Sequence, residues 1–234
     1  MIKNKIKKLL TSVSLAFVMI CSSIAVMPAT PVSALADGVY LYQDASYGGD
    51  WIRINQYNEA FNSREVYLGH ATASAISDNF NDRISSIKIV GNYQVTLYDN
   101  WNCYGKACLF NGSNKNIGNY GMNDIVSSAL VEPLDTVGMY VYTGRDCTGR
   151  CYRLDYGKYG ELNSIDFDNQ ISSIKYIGNA SHLSGSIELY NDTYYGHFIK
   201  TVPFSLSLFG PWSQYVNLIS SDDITSSVNC YWTM

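Results

Sequence analysis

A six-residue pattern occurs four times in this chain: two Asx residues, two variable residues and a serine pair. The copies are Asn81-Asp82-Arg83-Ile84-Ser85-Ser86, Asn123-Asp124-Ile125-Val126-Ser127-Ser128, Asp168-Asn169-Gln170-Ile171-Ser172-Ser173 and Asp222-Asp223-Ile224-Thr225-Ser226-Ser227. Carboxylate, amide, hydroxyl and backbone carbonyl oxygens at fixed spacing suit a hard cation such as calcium and are poor ligands for zinc or copper. A chain that repeats such a unit is expected to fold as an array of similar supersecondary pieces.

A second repeat runs in step with the first. Alternating apolar residues lead to a tyrosine, then polar residues and a glycine: Val39-Tyr40-Leu41-Tyr42 to Gly49, Val95-Thr96-Leu97-Tyr98 to Gly105, Met139-Tyr140-Val141-Tyr142 to Gly149, and Ile187-Glu188-Leu189-Tyr190 to Gly196. Period-two alternation ending in Asp, Asn and Gly predicts a strand entering a hairpin turn. The fourth glycine comes one residue early, which predicts a shorter turn there. From tyrosine to hexad the spacing is 39, 25, 26 and 32 residues, long-short then short-long. The first repeat carries an insertion near residues 59–77, where Ala71, Ala73 and Ala75 suggest a short helical turn. Elsewhere Tyr, Val, Ile and Thr dominate, with no sustained helical period.

Together these signatures resemble the βγ-crystallin superfamily, and specifically its microbial calcium-binding branch, over nearly all of residues 38–234. The resemblance implies an all-β protein in which one hairpin and one hexad make a Greek key and two Greek keys make a β-sandwich domain. Four copies imply two domains, 37–132 and 137–234, joined through a proline-containing linker at residues 131–136.

The resemblance also implies where calcium would bind. Each domain would hold two sites where the hexad of one Greek key meets that of its partner. The fifth-position hydroxyls Ser85, Ser127, Ser172 and Ser226 would be side-chain ligands. The carbonyls of Arg83, Ile125, Gln170 and Ile224 would contribute, and the Asx residues Asn81, Asp82, Asn123, Asp124, Asp168, Asn169, Asp222 and Asp223 would coordinate directly, through water, or by fixing the arch. Carbonyls just after the hairpin tyrosines (Gln43, Asp99, Thr143, Asn191) complete the expected set. Asx and Ser also cap tight arches with no metal present.

Residues 1–36 form a different kind of segment. Lys3, Lys5, Lys7 and Lys8 precede an apolar stretch over 9–27, and Ala34-Leu35-Ala36 fits a small-x-small cleavage site, so a secretory signal peptide removed after Ala36 and an extracellular protein are expected. Four of the 16 Lys+Arg lie in this leader and none of the 20 Asp+Glu, which leaves the remainder at net −8. Such a charge gives no electrostatic reason to bind nucleic acid or an anionic membrane.

Of the six cysteines, Cys21 lies in the leader. Cys103 and Cys108, and Cys147 and Cys151, bracket hairpin glycines. With facing positions and an oxidising compartment, Cys103–Cys108 and Cys147–Cys151 are the favoured bridges among the pairings open to five cysteines, with Cys230 left over and buried. The four tryptophans (Trp51, Trp101, Trp212, Trp232) are expected in the core or at corners. No nucleophile elbow, zinc-protease helix, phosphate loop or dinucleotide fingerprint occurs. The reading is a non-enzymatic protein whose cofactor is Ca2+. A secreted peptidase inhibitor or toxin-like factor of the same fold, or a carbohydrate-binding module, stands as the alternative, with any protein or glycan partner unidentified.

Overall fold

A computed structural model describes residues 35–54, 65–67, 80–101, 103–218 and 224–232. Expectations placed on residues 1–34, on most of the 59–77 insertion, and on Asp222 and Asp223 lie outside the described residues. Those described are all β, apart from four short 3₁₀ turns at Ala45–Tyr47, Ile117–Tyr120, Leu162–Ile165 and Thr193–Tyr195.

The strands are β1 (Gly38–Tyr42), β2 (Trp51–Ile54), β3 (Glu65–Tyr67), β4 (Ser86–Val90), β5 (Tyr93–Tyr98), β6 (Ala107–Phe110), β7 (Ser128–Pro133) and β8 (Gly138–Tyr142), followed by β9 (Cys151–Leu154), β10 (Gly157–Tyr159), β11 (Ser173–Ile177), β12 (Ser184–Tyr190), β13 (Phe198–Ser205), β14 (Ser213–Asn217) and β15 (Ser227–Trp232). They form four antiparallel sheets, ordered β2-β1-β4, β3-β7-β5-β6, β14-β11-β8-β9 and β10-β15-β12-β13.

The third strand of each repeat leaves its own sheet and joins its neighbour's. β3 pairs with β7, β10 with β15, and β14 with β11. In the second repeat this strand shrinks to one bridge, in which Ile87 and Asn114 exchange hydrogen bonds of 2.8 and 2.7 Å. The exchange ties each pair of repeats into one packed unit, so neither sheet closes its core without the other repeat's strand.

Apolar alternation locates the cores. In β2, Ile52 and Ile54 are buried while Trp51 and Arg53 face out, the period of a half-buried strand. One cluster gathers Val39, Leu41, Phe80, Ile84, Leu97 and Val126 with others of the first half. A second gathers Met139, Val141, Phe167, Ile171, Leu189 and Val228, and takes in Tyr98 and Ala107 from the first half.

The two halves meet through buried polar pairs as well. Glu132 and Arg153 form a 2.6 Å ion pair with side chains 3% and 7% exposed. Burial opposes the Arg153 charge, but hydrogen bonds to Asp155 and Glu132 outweigh it and hold its pKa above the ordinary value. The Tyr140 hydroxyl lies 3.1 Å from the Gln94 side-chain amide and donates to the Thr136 carbonyl at 2.7 Å. Cutting one partner of such a buried pair costs about 3–5 kcal/mol, because the other charge is stranded.

Two expectations need correction. Among the described residues no disulfide forms, neither Cys103–Cys108 nor Cys147–Cys151. The strand register is the reason: Leu97, not Cys103, lies opposite Cys108, and Tyr142, not Cys147, lies opposite Cys151. Cys103 and Cys147 sit in the turns at φ 53° and 58°. Cys108 packs into the first core, whereas Cys103 packs against the second. Burial pushes the Cys108 thiol up to about 12 and raises Cys151 and Cys230 further. Cys230 is buried as expected. The tryptophans are the second correction: Trp51, Trp101 and Trp212 are 44%, 42% and 40% exposed, and only Trp232 packs against a core.

Candidate metal centre

Each hexad is fastened to its own hairpin by the same set of bonds. The fifth serine's N–H donates to the hairpin tyrosine carbonyl: Ser85 to Tyr42 at 2.9 Å, Ser127 to Tyr98 at 2.8 Å, Ser172 to Tyr142 at 2.8 Å and Ser226 to Tyr190 at 2.9 Å. The sixth serine, to which the sequence assigned no role, pins the turn itself. Its hydroxyl accepts a turn N–H, from Tyr47 to Ser86, Cys103 to Ser128, Cys147 to Ser173 and Tyr195 to Ser227, at 3.0 or 3.1 Å. It also donates to the carbonyls of Asp44, Asn100, Gly144 and Asp192 at 2.6 or 2.7 Å. All four sixth serines are fully buried. Their signal in the sequence was invariance across the repeats.

The hairpins fall into two kinds. Ser46 and Tyr47 in the first, and Tyr194 and Tyr195 in the fourth, share φ values of 58°, 66° and 53°, 66°. The second and third instead turn at Cys103 and Cys147. The first half therefore runs in the order that the second half reverses, as the long-short, short-long spacing suggested. The fourth turn is one residue shorter, as its early glycine predicted: Tyr190 lies opposite Phe198, whereas Tyr42, Tyr98 and Tyr142 lie opposite Trp51, Ala107 and Cys151, one position further along, and a register shift between Leu189 and Tyr190 absorbs the difference. In the second hairpin only glycine fits, since a Cβ on Gly105 would lie 2.1 Å from Asp99 Oδ1.

At the second hexad position Asp82, Asp124 and Asn169 adopt φ of 56°, 53° and 52°. Asp and Asn enter this left-handed region more readily than other side-chain-bearing residues, which accounts for Asx there. The bend lets each backbone N–H reach the partner hexad: Asp82 to the Val126 carbonyl, Asp124 to Ile84 and Asn169 to Thr225, at 3.0, 3.0 and 2.9 Å. The fourth-position side chains Ile84, Val126, Ile171 and Thr225 are fully buried.

The side-chain oxygens then cross between hexads. Ser85 Oγ donates to Asp124 Oδ1 at 3.2 Å, and Ser127 Oγ donates to Asp82 Oδ1 at 3.3 Å. In the second half Ser226 Oγ donates to Asn169 Oδ1 at 3.3 Å, while Ser172 Oγ donates to the Thr143 carbonyl at 3.0 Å. The first-position amide steadies its neighbour: Asn81 Nδ2 donates to Asp82 Oδ2 at 2.7 Å and Asn123 Nδ2 to Asp124 Oδ2 at 2.6 Å. In the third hexad the roles reverse, Asn169 Nδ2 donating to Asp168 Oδ2 at 3.2 Å.

The structure thus brings Asp82 to Ser127, Asp124 to Ser85, Asn169 to Ser226 and Thr143 to Ser172. Gln43, Asp99 and Asn191 each follow a tyrosine whose carbonyl holds the fifth serine, so their backbones flank it. Among the third-position residues, Arg83 is exposed, with its guanidinium 3.4 Å from Gln43 Oε1, and Ile125 and Ile224 are partly or well exposed. Gln170 is held by Arg150 at 2.8 Å.

Arg150 went unremarked in the sequence. It is 8% exposed, pairs with Asp166 at 3.0 Å, lies over the Phe167 ring at 4.8 Å and reaches the Ala107 carbonyl of the first half at 3.4 Å. Its charge beside the third hexad opposes a second cation there. No such buried cation touches the first pair of hexads in the described contacts.

Two buried carboxylate oxygens near the hexads, Asp99 Oδ1 and Asp168 Oδ1, have no hydrogen-bond partner. Burial raises the Asp99 pKa; a backbone hydrogen bond from Lys106 lowers it in part, and the nearby Asp166 charge raises it again.

A family model described as Beta/Gamma crystallin matches residues 94–177, spanning the second and third repeats. Similar solved structures include a βγ-crystallin domain from Flavobacterium johnsoniae, 28% identical over 43% of this chain and 99% of that one, TM-score 0.35. A βγ-crystallin domain from Clostridium beijerinckii is 23% identical over 41% of this chain and 97% of that one, TM-score 0.33. A clostrillin double mutant in complex with nickel is 23% identical over 41% of this chain and 98% of that one, TM-score 0.34. No curated protein matches the chain. Residues 94–177 are thus similar to Beta/Gamma crystallin sequence.

Proposed function

We propose that this chain is a secreted, non-enzymatic protein that binds calcium at its paired hexads and is stabilised by it, with the two binding units at 37–132 and 137–234. One observation carries the reading. Ser85 and Asp124, and Ser127 and Asp82, present oxygens from different hexads 3.2 and 3.3 Å apart. Neighbouring ligands around an ion bound at 2.3–2.6 Å lie about 3–3.5 Å apart, so a cation can replace the bridging proton with little movement.

The donor set fits a hard cation. Asp82 with Ser127, and Asp124 with Ser85, would hold two ions in the first half, aided by the carbonyls of Arg83, Ile125, Gln43 and Asp99. Asn169 with Ser226, and Ser172 with Thr143, would serve the second, with Gln170, Ile224 and Asn191, and with Asp168, Asp222 and Asp223 supplying charge. The unpaired oxygens of Asp99 and Asp168 are acceptors that a cation would satisfy. Bound calcium would supply positive charge that neutralises carboxylates gathered between two repeats.

With one formal charge per Asx pair in three of four hexads, the expected affinity is on the order of 10⁻⁵–10⁻³ M, suited to an extracellular setting. The first half should bind more tightly, because Arg150 sits beside the third hexad. Calorimetric titration of the protein lacking residues 1–36 tests this. Heat saturating at two or more ions per chain supports the reading, and absence of heat at millimolar calcium defeats it.

A further inference from the structure

We infer that the outer face of the β14-β11-β8-β9 sheet carries a binding groove for a neutral oligosaccharide, distinct from the hexads. The register places Lys175 between Tyr140 and Tyr215, and Ile177 opposite Ser213, all on one face. The first half covers part of that face: Tyr140 and Ile177 are 2% and 5% exposed. The β14 side is open, with Tyr215 at 53% and Trp212 at 40%.

A cavity of about 440 Å³ opens there, lined by Trp212, Lys175, Asp135, Asn179 and Ser213. A second, of about 370 Å³, is bordered by Lys175, Asn111, Ser113, Asn114, Tyr120 and Tyr142. Both fall within the roughly 300–1,000 Å³ usual for ligand sites. Lys175 lines both, so the two adjoin at that side chain as one trough, of which only the second part takes residues from both halves.

The lining chemistry selects the ligand. An indole beside a carboxylate, an ammonium, an amide and a hydroxyl offers an apolar plate ringed by donors and acceptors, which matches a pyranose with its C–H face and equatorial hydroxyls. The asparagines and Ser113 of the second cavity continue the same polar supply for a following sugar unit. One acid and one base in the first cavity leave no charge excess to hold a phosphate, and the many polar groups disfavour a lipid chain.

The test is calorimetric titration of the protein lacking residues 1–36 with cellotetraose, chitotetraose and mannotetraose, in chelator so that calcium binding plays no part. We expect saturable millimolar-or-tighter binding of at least one, weakened at least about tenfold in Trp212→Ala and unaltered in Trp101→Ala, an exposed tryptophan outside the trough. Asp135→Asn and Lys175→Gln should weaken it as well, and they decide the matter if Trp212→Ala lowers the melting temperature. Binding of none of the three sugars, or equal binding by all three trough variants, overturns the inference.

Discussion

Ser85 and Asp124 lie 39 residues apart in sequence, yet Ser85 Oγ donates to Asp124 Oδ1 at 3.2 Å, and the relation is returned by Ser127 and Asp82. Each hexad therefore completes its partner, and neither could form the arrangement alone. The fifth and sixth serines divide the work: the fifth hydroxyl faces the other hexad at Ser85, Ser127 and Ser226, and the sixth holds its own hairpin in all four.

That division predicts opposite calcium dependence for adjacent substitutions. Ser128→Ala removes a bond from the Cys103 N–H and one to the Asn100 carbonyl. It should cost about 1–3 kcal/mol in chelator and in calcium alike. Ser127→Ala should do little in chelator, since its Asp82 partner is exposed, but should abolish most of the stabilisation that calcium adds. Thermal melts of both variants in the two conditions check this.

Asp99 should make stability depend on pH. Its pKa is raised in the folded state, so the protonated form binds better there; that contribution is full below the unfolded value of 3.8 and is lost as pH rises through the folded value. At neutral pH the charged group is a liability when no cation is bound. Asp99→Asn should therefore melt higher than the parent at pH 7 in chelator, with the gap closing on acidification. A gap that is independent of pH would refute the assignment.

Thr225 occupies a position that is Ile or Val in the other three hexads, and its buried hydroxyl has no hydrogen-bond partner. Thr225→Val keeps the shape and removes the unmet polar group, so a gain of about 1 kcal/mol is expected from denaturant unfolding. A loss would mean the hydroxyl is satisfied in solution.

Much of this molecule was legible because it repeats. Hairpin tyrosines and hexads recur at recognisable spacing, and the positions they named do converge: Asp82 on Ser127, Asn169 on Ser226, Thr143 on Ser172. What escaped was non-local. The exchanged strands β3, β10 and β14 carry no signature, and their pairing follows from which repeat packs on which. The bridges expected for Cys103–Cys108 and Cys147–Cys151 assumed facing positions, whereas the register sets Leu97 and Tyr142 opposite Cys108 and Cys151. Arg150 gave no local signal because folding of its own half brings Asp166 and Gln170 to it, and the first half adds the Ala107 carbonyl. The early Gly196 was informative: Tyr190 meets Phe198 one position sooner than the other hairpin tyrosines meet their partners.

The most direct test of the central claim is the melting temperature of the protein lacking residues 1–36, in chelator and in millimolar calcium. An ion binding only the folded state at 100 times its dissociation constant adds roughly 2.7 kcal/mol per site. At about 2–4 °C per kcal/mol for a chain of this size, two occupied sites should raise the melt by at least about 10 °C. The Ser85→Ala/Ser127→Ala double variant should lose most of that rise. Identical melts in chelator and calcium would contradict the account and leave the hexads as arches alone.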